Sequence, residues 1–342
     1  MRPEIRIIAP RLASLFLMFC LLFPACKKSS PTSPTPPAEK GYSYYYVGNQ
    51  ADVSTATFPG YVLMGGGSDV DEAFRWMIQR SGGGDFVVIR ASGTDAYNPY
   101  IASLGRVDSV ETLVVYSQTG ANAQFVADKV RKAEALFIAG GDQADYIRMW
   151  KGTALHEAIN YAISRGVPVG GTSAGLAVLG EFVFSALNDT VYSPEALANP
   201  YNSYIILERN FLNIQVLRKV ITDSHFVTRN RMGRLIVFLA RIVKDGWAAE
   251  AKGIGVDEAT ALLVEPDGTA ALVGSGAAYF LLANHMPEVC LPSTPLTYSL
   301  IPVFKMRSGG FFNLLSWQGS GGESYYLSVN AGVLSSSTGS VY

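Results

Sequence analysis

The feature that most constrains the fold is a series of short apolar runs that alternate with helical patterns. The runs lie at residues 60–64, 86–89, 113–116, 135–139 and 167–169. The runs begin on average about 25 to 30 residues apart, which leaves room for a helix between strands, and such right-handed crossovers build a parallel sheet that is covered on both faces. We therefore predict an α/β fold with three layers and a mostly parallel, doubly wound sheet.

The run at 167–169 leads into a Gly-x-Ser-x-Gly segment centred on Ser173, after which a helical pattern begins. Glycines two residues either side of a serine allow the sharp strand-to-helix turn of a nucleophile elbow, in which the serine Oγ projects from the sheet. The first N–H groups of the next helix then face whatever the serine attacks. A glycine-lined turn that buries an inert serine is the alternative interpretation.

Glycine also follows the apolar runs at Gly65 and Gly140. Ligands of a parallel sheet bind beyond the carboxyl ends of its strands, so these turns mark one common rim. Three consecutive glycines at 65–67 lack the Gly-x-Gly-x-x-Gly spacing of dinucleotide sites, because Val70 stands at the third glycine position. We expect close approach of the backbone at this rim and no nucleotide site.

The composition argues against several classes of function. Hydrophobic residues make up 49% of the chain and charged residues 16%, and the net charge is −1. This balance gives no signal for nucleic-acid binding. The three histidines lack the spacing of metal ligands. We expect neither a metal ion nor another cofactor.

The N-terminus predicts export. Arginines at positions 2, 6 and 11 precede a short apolar core at 15–23, which is too short for a membrane span of about 20 residues. The segment resembles a bacterial lipoprotein signal over residues 1–25, with lipid attachment at Cys26, and ordinary secretion with cleavage nearby is the alternative. Residues 26–42 are rich in Ser, Thr and Pro and are predicted to form a flexible tether. We therefore expect a membrane-anchored lipoprotein of the cell envelope.

His225 is the best candidate for the base that a serine nucleophile needs. It ends an apolar run, which places it at the rim of a sheet, and three arginines follow it. His156 lies in an ordinary helical pattern and His285 lies late in the chain, close to a proline. We expect structural roles for these two.

A carboxylate should orient the imidazole of the base and stabilise its cation. The candidates between the serine and the histidine are Glu181, Asp189, Glu195 and Glu208. We prefer Glu195, because it follows a loop that can fold back over the rim. Asp189 stays open as an alternative, although its surroundings are also typical of a turn.

Four segments in chain order resemble the signature blocks of cyanophycinases. They are Ala-Gly-Gly-Asp-Gln at 139–143, Gly-Thr-Ser-Ala-Gly at 171–175, Asp-Ser-His-Phe-Val-Thr-Arg-Asn-Arg-Met-Gly-Arg-Leu at 223–235 and Gly-Val-Asp-Glu-Ala-Thr-Ala at 255–261. Cyanophycinases are serine exopeptidases related to aspartyl dipeptidase, with a class I glutamine-amidotransferase-like fold. The resemblance implies a peptidase domain over residues 43–290. It also implies hydrolysis of β-aspartyl peptide bonds, the linkage of the aspartate–arginine polymer cyanophycin.

The resemblance assigns roles to residues of these blocks. It implies that Ser173 is the nucleophile and His225 the base of a Ser–His–Glu triad, in which Glu195 would be the acid, and that an acyl-enzyme forms. Backbone N–H groups of Gly141 and Ala174 would hold the oxyanion.

The resemblance also implies a set of substrate contacts. They are Gln143, Ser224, Arg229, Arg231 and Arg234. Ser224 replaces a glutamine of the family pattern, so both cyanophycin and other β-aspartyl peptides stay open as substrates.

The arginines suit a β-aspartyl substrate, which keeps a free α-carboxylate beside the scissile amide. A guanidinium group binds a carboxylate with two hydrogen bonds. In the alternative interpretation, one or two of the arginines are structural and pair with Asp223, Asp257 or Glu258. We expect Asp257 and Glu258 to brace the arginines in this way.

Two other functions share part of this pattern, an α/β-hydrolase esterase and a non-catalytic surface protein that binds peptides. The segment at 291–342 alternates apolar and polar residues between glycine-rich turns. It is predicted to form a small β-rich extension that covers an edge of the main sheet or mediates homodimer formation.

Overall fold

The computed structural model describes residues 40–342. The predicted signal at 1–25, the lipidation site Cys26 and the tether up to residue 39 lie outside the described residues. Within the described part of the chain, no helix is long and apolar enough to cross a membrane.

The strands of residues 40–342 are β1 (Tyr42–Gly48), β2 (Gly60–Met64), β3 (Asp85–Arg90), β4 (Ser109–Val115), β5 (Ala135–Ile138), β6 (Pro168–Thr172), β7 (Phe182–Phe184), β8 (Leu207–Arg209), β9 (Val220–Asp223), β10 (Ala251–Val256), β11 (Thr260–Val264), β12 (Thr269–Gly274), β13 (Ala278–Ala283), β14 (Tyr298–Met306), β15 (Phe311–Asn313), β16 (Gln318–Ser320), β17 (Glu323–Asn330) and β18 (Val333–Ser336). The helices are α1 (Asp71–Arg80), α2 (Tyr97–Leu104), α3 (Gln118–Ala121), α4 (Gln124–Lys132), α5 (Gln143–Trp150), α6 (Ala154–Arg165), α7 (Ala174–Ala177), α8 (Ser193–Ala198) and α9 (Met232–Lys244).

The first sheet has ten strands in the order β1-β4-β3-β5-β6-β2-β11-β12-β15-β16. Its five strands β4, β3, β5, β6 and β2 are parallel, and the others pair antiparallel. The predicted apolar runs form these parallel strands, which are buried along most of their length. The predicted α/β fold with a mostly parallel central sheet is therefore confirmed.

A second sheet of eight strands, in the order β18-β17-β14-β13-β10-β9-β7-β8, was not predicted as a separate sheet. Only β7, β9 and β10 are parallel in it. The C-terminal segment forms antiparallel strands as expected, but these continue the two main sheets. Strands β14, β17 and β18 belong to the second sheet, and β15 and β16 to the first. Alternate burial along β17 explains this placement, because its apolar face joins the core.

Three apolar clusters hold the layers together. Helices α1 and α2 pack on one face of the first sheet, where Phe74 and Met77 meet Phe137. A second cluster joins the opposite face of that sheet to α4, α6 and the second sheet. Helix α9, whose buried residues include Leu235 and Phe238, packs with α8 against the remaining face of the second sheet.

Candidate active site

Ser173 lies between the end of β6 and the start of α7, with backbone angles φ 54° and ψ −116°. A non-glycine residue adopts this conformation only when the surroundings impose it. The flanking glycines permit the turn: a Cβ on Gly171 would lie 2.6 Å from the carbonyl carbon of Gly175, and one on Gly175 would lie 2.0 Å from the Ile138 oxygen. The segment therefore has the geometry of a nucleophile elbow.

His225 follows β9 and brings its imidazole to the elbow. Its Nε2 lies 2.7 Å from the Oγ of Ser173. Gly66 packs against both side chains, since a Cβ on it would lie 2.5 Å from His225 Nε2 and 3.1 Å from the Ser173 Cβ. The close backbone approach expected of the glycines at 65–67 is therefore present, and Gly66, at φ +93°, needs glycine for its conformation as well.

Three consecutive carbonyl groups at the end of β2 hold the segments that meet here. The oxygens of Met64, Gly65 and Gly66 accept hydrogen bonds from backbone N–H groups of residues 173, 225 and 259, at 3.1, 2.7 and 2.9 Å. The backbone at the end of β2 therefore fixes the positions of all three segments.

Glu258 contacts the other nitrogen of the histidine. Its Oε1 lies 2.5 Å from His225 Nδ1. Glu258 occupies the turn between β10 and β11, and β10 pairs parallel with β9, so the two strand ends bring the residues together. With Nδ1–H donating to the carboxylate, Nε2 is left to accept the serine proton.

The electrostatics favour a neutral imidazole. Burial lowers the pKa of His225 below its usual value of 6.5, the hydrogen bond to Glu258 acts in the opposite direction, and the charges of Arg229 and Arg231 lower the pKa further. The hydrogen bond with His225 lowers the pKa of Glu258, which therefore stays ionised at neutral pH. This is the protonation state of a base ready to accept a proton.

The predicted acid, Glu195, does not contact His225. Its Oε2 accepts the backbone N–H of Tyr192, the residue before α8, at 3.1 Å. Glu195 is therefore a helix-capping residue, and its assignment to the triad is corrected. The alternative, Asp189, bonds the adjacent N–H of Thr190 and is a turn residue with φ 87°.

The expected roles of Asp257 and Glu258 as braces for the arginines were also wrong. Asp257 accepts backbone N–H groups of Val227 and Ala277, both at 3.1 Å. Glu258 contacts the imidazole. The predicted acids lie between the serine and the histidine in the chain, whereas the side chains that meet follow the order Ser, His, Glu. The signal that could have identified Glu258 is its place directly after a strand in the block at 255–261.

Two backbone N–H groups at the elbow are available for an oxyanion. Ala174 begins α7, and neither its N–H nor that of Gly141 has an acceptor within residues 40–342. The turn at Gly140 is adjacent to the serine, since a Cβ on Gly140 would lie 3.4 Å from the Ser173 Cβ. The phenol of Tyr146 donates to the Ala139 oxygen at 2.8 Å and holds this turn in place.

A cavity of about 490 Å³ brings four of the predicted substrate contacts together, namely Gln143, Arg229, Arg231 and Arg234. Gln143 is half-buried at the start of α5. Arg229 is exposed, and its guanidinium has no hydrogen bond to another residue of the described chain. Residues 227–231, called the arginine loop below, thus form part of the cavity wall.

Arg234 is a structural residue despite lining this cavity. It is 2% exposed and binds Asp223 through two hydrogen bonds, Nε–Oδ2 at 2.7 Å and Nη2–Oδ1 at 2.6 Å. Burial alone would raise the pKa of Asp223, but the Arg234 and Arg231 guanidinium groups hold it below its usual value. The alternative interpretation, in which some arginines pair with Asp223, therefore applies to Arg234.

Arg231 and Ser224 are linked beside this pair. Arg231 Nη1 donates to the Ser224 carbonyl at 2.9 Å, to its Oγ at 3.3 Å and to Asp223 Oδ1 at 3.2 Å. Ser224 is buried, so the structure gives it the role of supporting Arg231 and not that of a cavity wall. The Nη2 of Arg231 is not used in these bonds.

The chain matches known proteins over this region. The model of peptidase family S51 matches residues 68–272. A cyanophycinase of Geminocystis herdmanii is 29% identical over 204 residues, which are 54% of this chain and 69% of that protein. A cyanophycinase of Synechococcus elongatus is 30% identical over 208 residues, 58% of this chain and 59% of that protein.

A solved peptidase from an acI-B1 Actinobacterium has the same fold, with a TM-score of 0.50 at 18% identity. The match covers 75% of this chain and 98% of that one. The family match spans more than half of the chain and includes the elbow, the histidine and Glu258. The chain therefore belongs to peptidase family S51, and it is a serine peptidase.

Proposed function

We propose that this peptidase hydrolyses β-aspartyl peptide bonds through a triad of Ser173, His225 and Glu258. The observation that carries the proposal is the unbroken chain of hydrogen bonds from the serine Oγ to the carboxylate. The names of the two similar cyanophycinases support the substrate class.

In the proposed mechanism, Ser173 Oγ attacks the carbonyl carbon of the scissile amide while His225 Nε2 accepts the hydroxyl proton. Glu258 stabilises the imidazolium that forms. The imidazolium then gives this proton to the leaving nitrogen, the C–N bond breaks, and an ester joins the substrate acyl group to the serine. Water attacks the ester with His225 as base again, which releases the acid and restores the serine.

The N–H groups of Ala174 and Gly141 would stabilise the oxyanion of both tetrahedral intermediates. Both are unpaired within the described chain, and both lie at the turn beside the serine. Preorganised donors of this kind act most strongly where charge develops in the transition state.

Arg229 and Arg231 would bind the free α-carboxylate of the β-aspartyl unit. The Arg229 guanidinium makes no hydrogen bond within residues 40–342, and Arg231 keeps Nη2 free of the bonds that anchor it. Gln143, which also lines the cavity, would contribute an amide. Arg234 is excluded from this role because Asp223 engages its Nε–Nη2 edge, while its Nη1 donates to Thr190 Oγ1 and to the Val191 oxygen.

The substrate proposal is tested with two dipeptides, β-linked and α-linked Asp-Arg, which differ only in which carboxylate is free. The β-linked isomer should have the higher kcat/KM by about tenfold or more, the value of a hydrogen bond to a charged group. Ser173→Ala is the control and should abolish turnover of both. Equal rates on the two isomers would remove the β-aspartyl assignment, and activity on p-nitrophenyl acetate alone would indicate an esterase.

We also propose that the enzyme is an exported lipoprotein anchored through Cys26. The positive residues, short apolar core and Ala25-Cys26 pair of the N-terminus support this. The wild-type protein should appear in the membrane fraction and incorporate a labelled fatty acid, and Cys26→Ser should prevent the labelling. A soluble cytoplasmic protein that retains Met1 would contradict the proposal.

A further inference from the structure

Asn230 separates Arg229 from Arg231 and therefore sets the directions of the two side chains. Its φ of 47° is in the left-handed region, which asparagine adopts more readily than most other non-glycine residues. Three hydrogen bonds hold it in this conformation. Its N–H donates to the Val227 oxygen at 2.9 Å, its carbonyl accepts from Ser193 Oγ at 2.5 Å, and its Oδ1 accepts from the Tyr342 hydroxyl at 2.9 Å.

The last of these partners comes from far along the chain. The hydroxyl of Tyr342 also accepts the N–H of Met232, the first residue of α9, at 3.0 Å. One phenol thus bonds the middle of the arginine loop and the helix start that follows it. Two rings hold the phenol in place, because Tyr342 packs edge-on against Phe226 and Tyr279 at centroid distances of 6.0 and 5.8 Å.

The segment that carries Tyr342 is itself attached to the second sheet. Tyr325 of β17 donates its hydroxyl to the Val341 oxygen at 2.9 Å. Burial raises the pKa of Tyr342 to about 12, so its hydroxyl keeps the proton that it donates to Asn230 at neutral pH. A continuous set of contacts therefore runs from the C-terminal strands to the arginine loop.

We propose that Tyr342 is a positioning residue for the arginine pair, and that the C-terminal strands hold the substrate-binding loop through it. Tyr342 lies outside the residues matched by the family model, which ends at 272. The kinetic consequence of this inference rests on the proposed function, because it requires a substrate carboxylate for the arginines to bind.

The test is Tyr342→Phe, which keeps the ring packing and removes both hydrogen bonds. With the β-linked Asp-Arg dipeptide, KM should rise by about three- to tenfold while kcat stays nearly constant, since a misplaced arginine weakens binding without altering the triad. Any hydrolysis of p-nitrophenyl acetate should be unchanged, because this ester has no carboxylate. The matched control is Tyr326→Phe. Tyr326 is on the same extension and is 51% exposed, and its hydroxyl has no hydrogen bond within the described residues.

Hydrogen exchange measures the positioning without a substrate. In Tyr342→Phe, the amides of residues 227–234, and that of Met232 above all, should exchange faster than in wild type and in Tyr326→Phe. If wild type fails to cleave the β-linked dipeptide, the proposed function is lost while the exchange result still decides this inference. Exchange equal to that of the control variant would overturn it.

A double-mutant cycle separates positioning from general stabilisation. Asn230→Gly tolerates the left-handed backbone and removes the acceptor of the Tyr342 hydroxyl. If Tyr342 acts through Asn230, the effects of Tyr342→Phe and Asn230→Gly on KM should be markedly less than additive. Fully additive effects would contradict the inference, whatever the change in melting temperature.

Discussion

The residues of the proposed triad and the arginine loop lie side by side but are held in different ways. Ser173 and His225 are placed by backbone hydrogen bonds to the end of β2, and Glu258 lies next to a third such bond. The arginine loop is placed chiefly by side chains from other segments, namely Ser193, Asp257 and Tyr342. The comparison teaches that the proposed chemistry depends on the central sheet, whereas the proposed substrate-binding loop depends largely on side chains of other segments, two of which lie outside that sheet.

The largest effect should come from Glu258, the proposed acid of the triad. Glu258→Gln keeps the shape of the side chain but removes the charge that stabilises the imidazolium, and kcat should fall by about a hundredfold or more. The matched variant Glu195→Gln changes an acid that only caps α8, and its kcat should stay at the wild-type value. Activity assays with equal folded concentrations check both, and the reverse pattern would restore Glu195 to the triad.

Gly66→Ala tests the part of the site that is held by backbone hydrogen bonds to the end of β2. The added Cβ would lie 2.5 Å from His225 Nε2, so the imidazole must move, and kcat should fall by about a hundredfold because such displacements are costly. Gly152→Ala is the control, since Gly152 has a similar φ of +78° and open space around it. Comparable losses in both variants would mean that backbone strain, and not contact with the triad, is responsible.

A smaller effect is expected at the arginines. Arg231→Lys keeps the charge but loses the planar guanidinium that can donate two parallel hydrogen bonds. The fall in kcat/KM for the β-linked dipeptide should correspond to a loss of about 1–3 kcal/mol of transition-state stabilisation. Arg234→Lys disturbs a buried pair with Asp223 and should instead lower the melting temperature. The assignment fails if Arg234→Lys alters substrate discrimination while Arg231→Lys does not.

The smallest expected effect is on the pH dependence of kcat/KM, because charges of the arginine loop act on the pKa of His225. His225 must be neutral to act as base, so kcat/KM should fall as the pH drops, with a midpoint below 6.5 because burial lowers the pKa of the imidazole. Arg229→Gln removes a charge that also lowers this pKa, so the midpoint should move to higher pH. The folded state binds this proton less tightly than the unfolded chain, so the free energy of unfolding should also decrease as the pH falls through the lowered pKa. An unchanged midpoint in Arg229→Gln would show that the loop does not influence the base.

Local sequence patterns predicted the central sheet and two of the three side chains that come together at the site, Ser173 and His225. Continuous apolar runs mark parallel strands, and the elbow glycines and the strand end before His225 place both residues at the rim. The contact between Glu258 and His225 depends on residues far apart in the chain, because it arises from the pairing of Asp223 with Gly255 on adjacent strands. No spacing between residues 225 and 258 encodes that pairing.

Other features depended on burial that the sequence does not show. Arg234 lies in the first turn of α9 on its buried side, and only the position of Asp223 reveals that its guanidinium is engaged. The second sheet was not predicted because its strands come from distant parts of the chain, between β7 and β18. The capping role of Glu195, in contrast, has a local sequence signal, which is the Ser-Pro-Glu start of a helix.

The three carbonyl groups at the end of β2 have a consequence for how this site tolerates change. Each of the three segments is hydrogen-bonded to a different peptide group at the end of β2. Their separation in space is therefore independent of the length of chain between them. Loops between the segments can lengthen or shorten without moving the reacting atoms, so substrate preference can diverge by insertion while the chemistry is inherited intact.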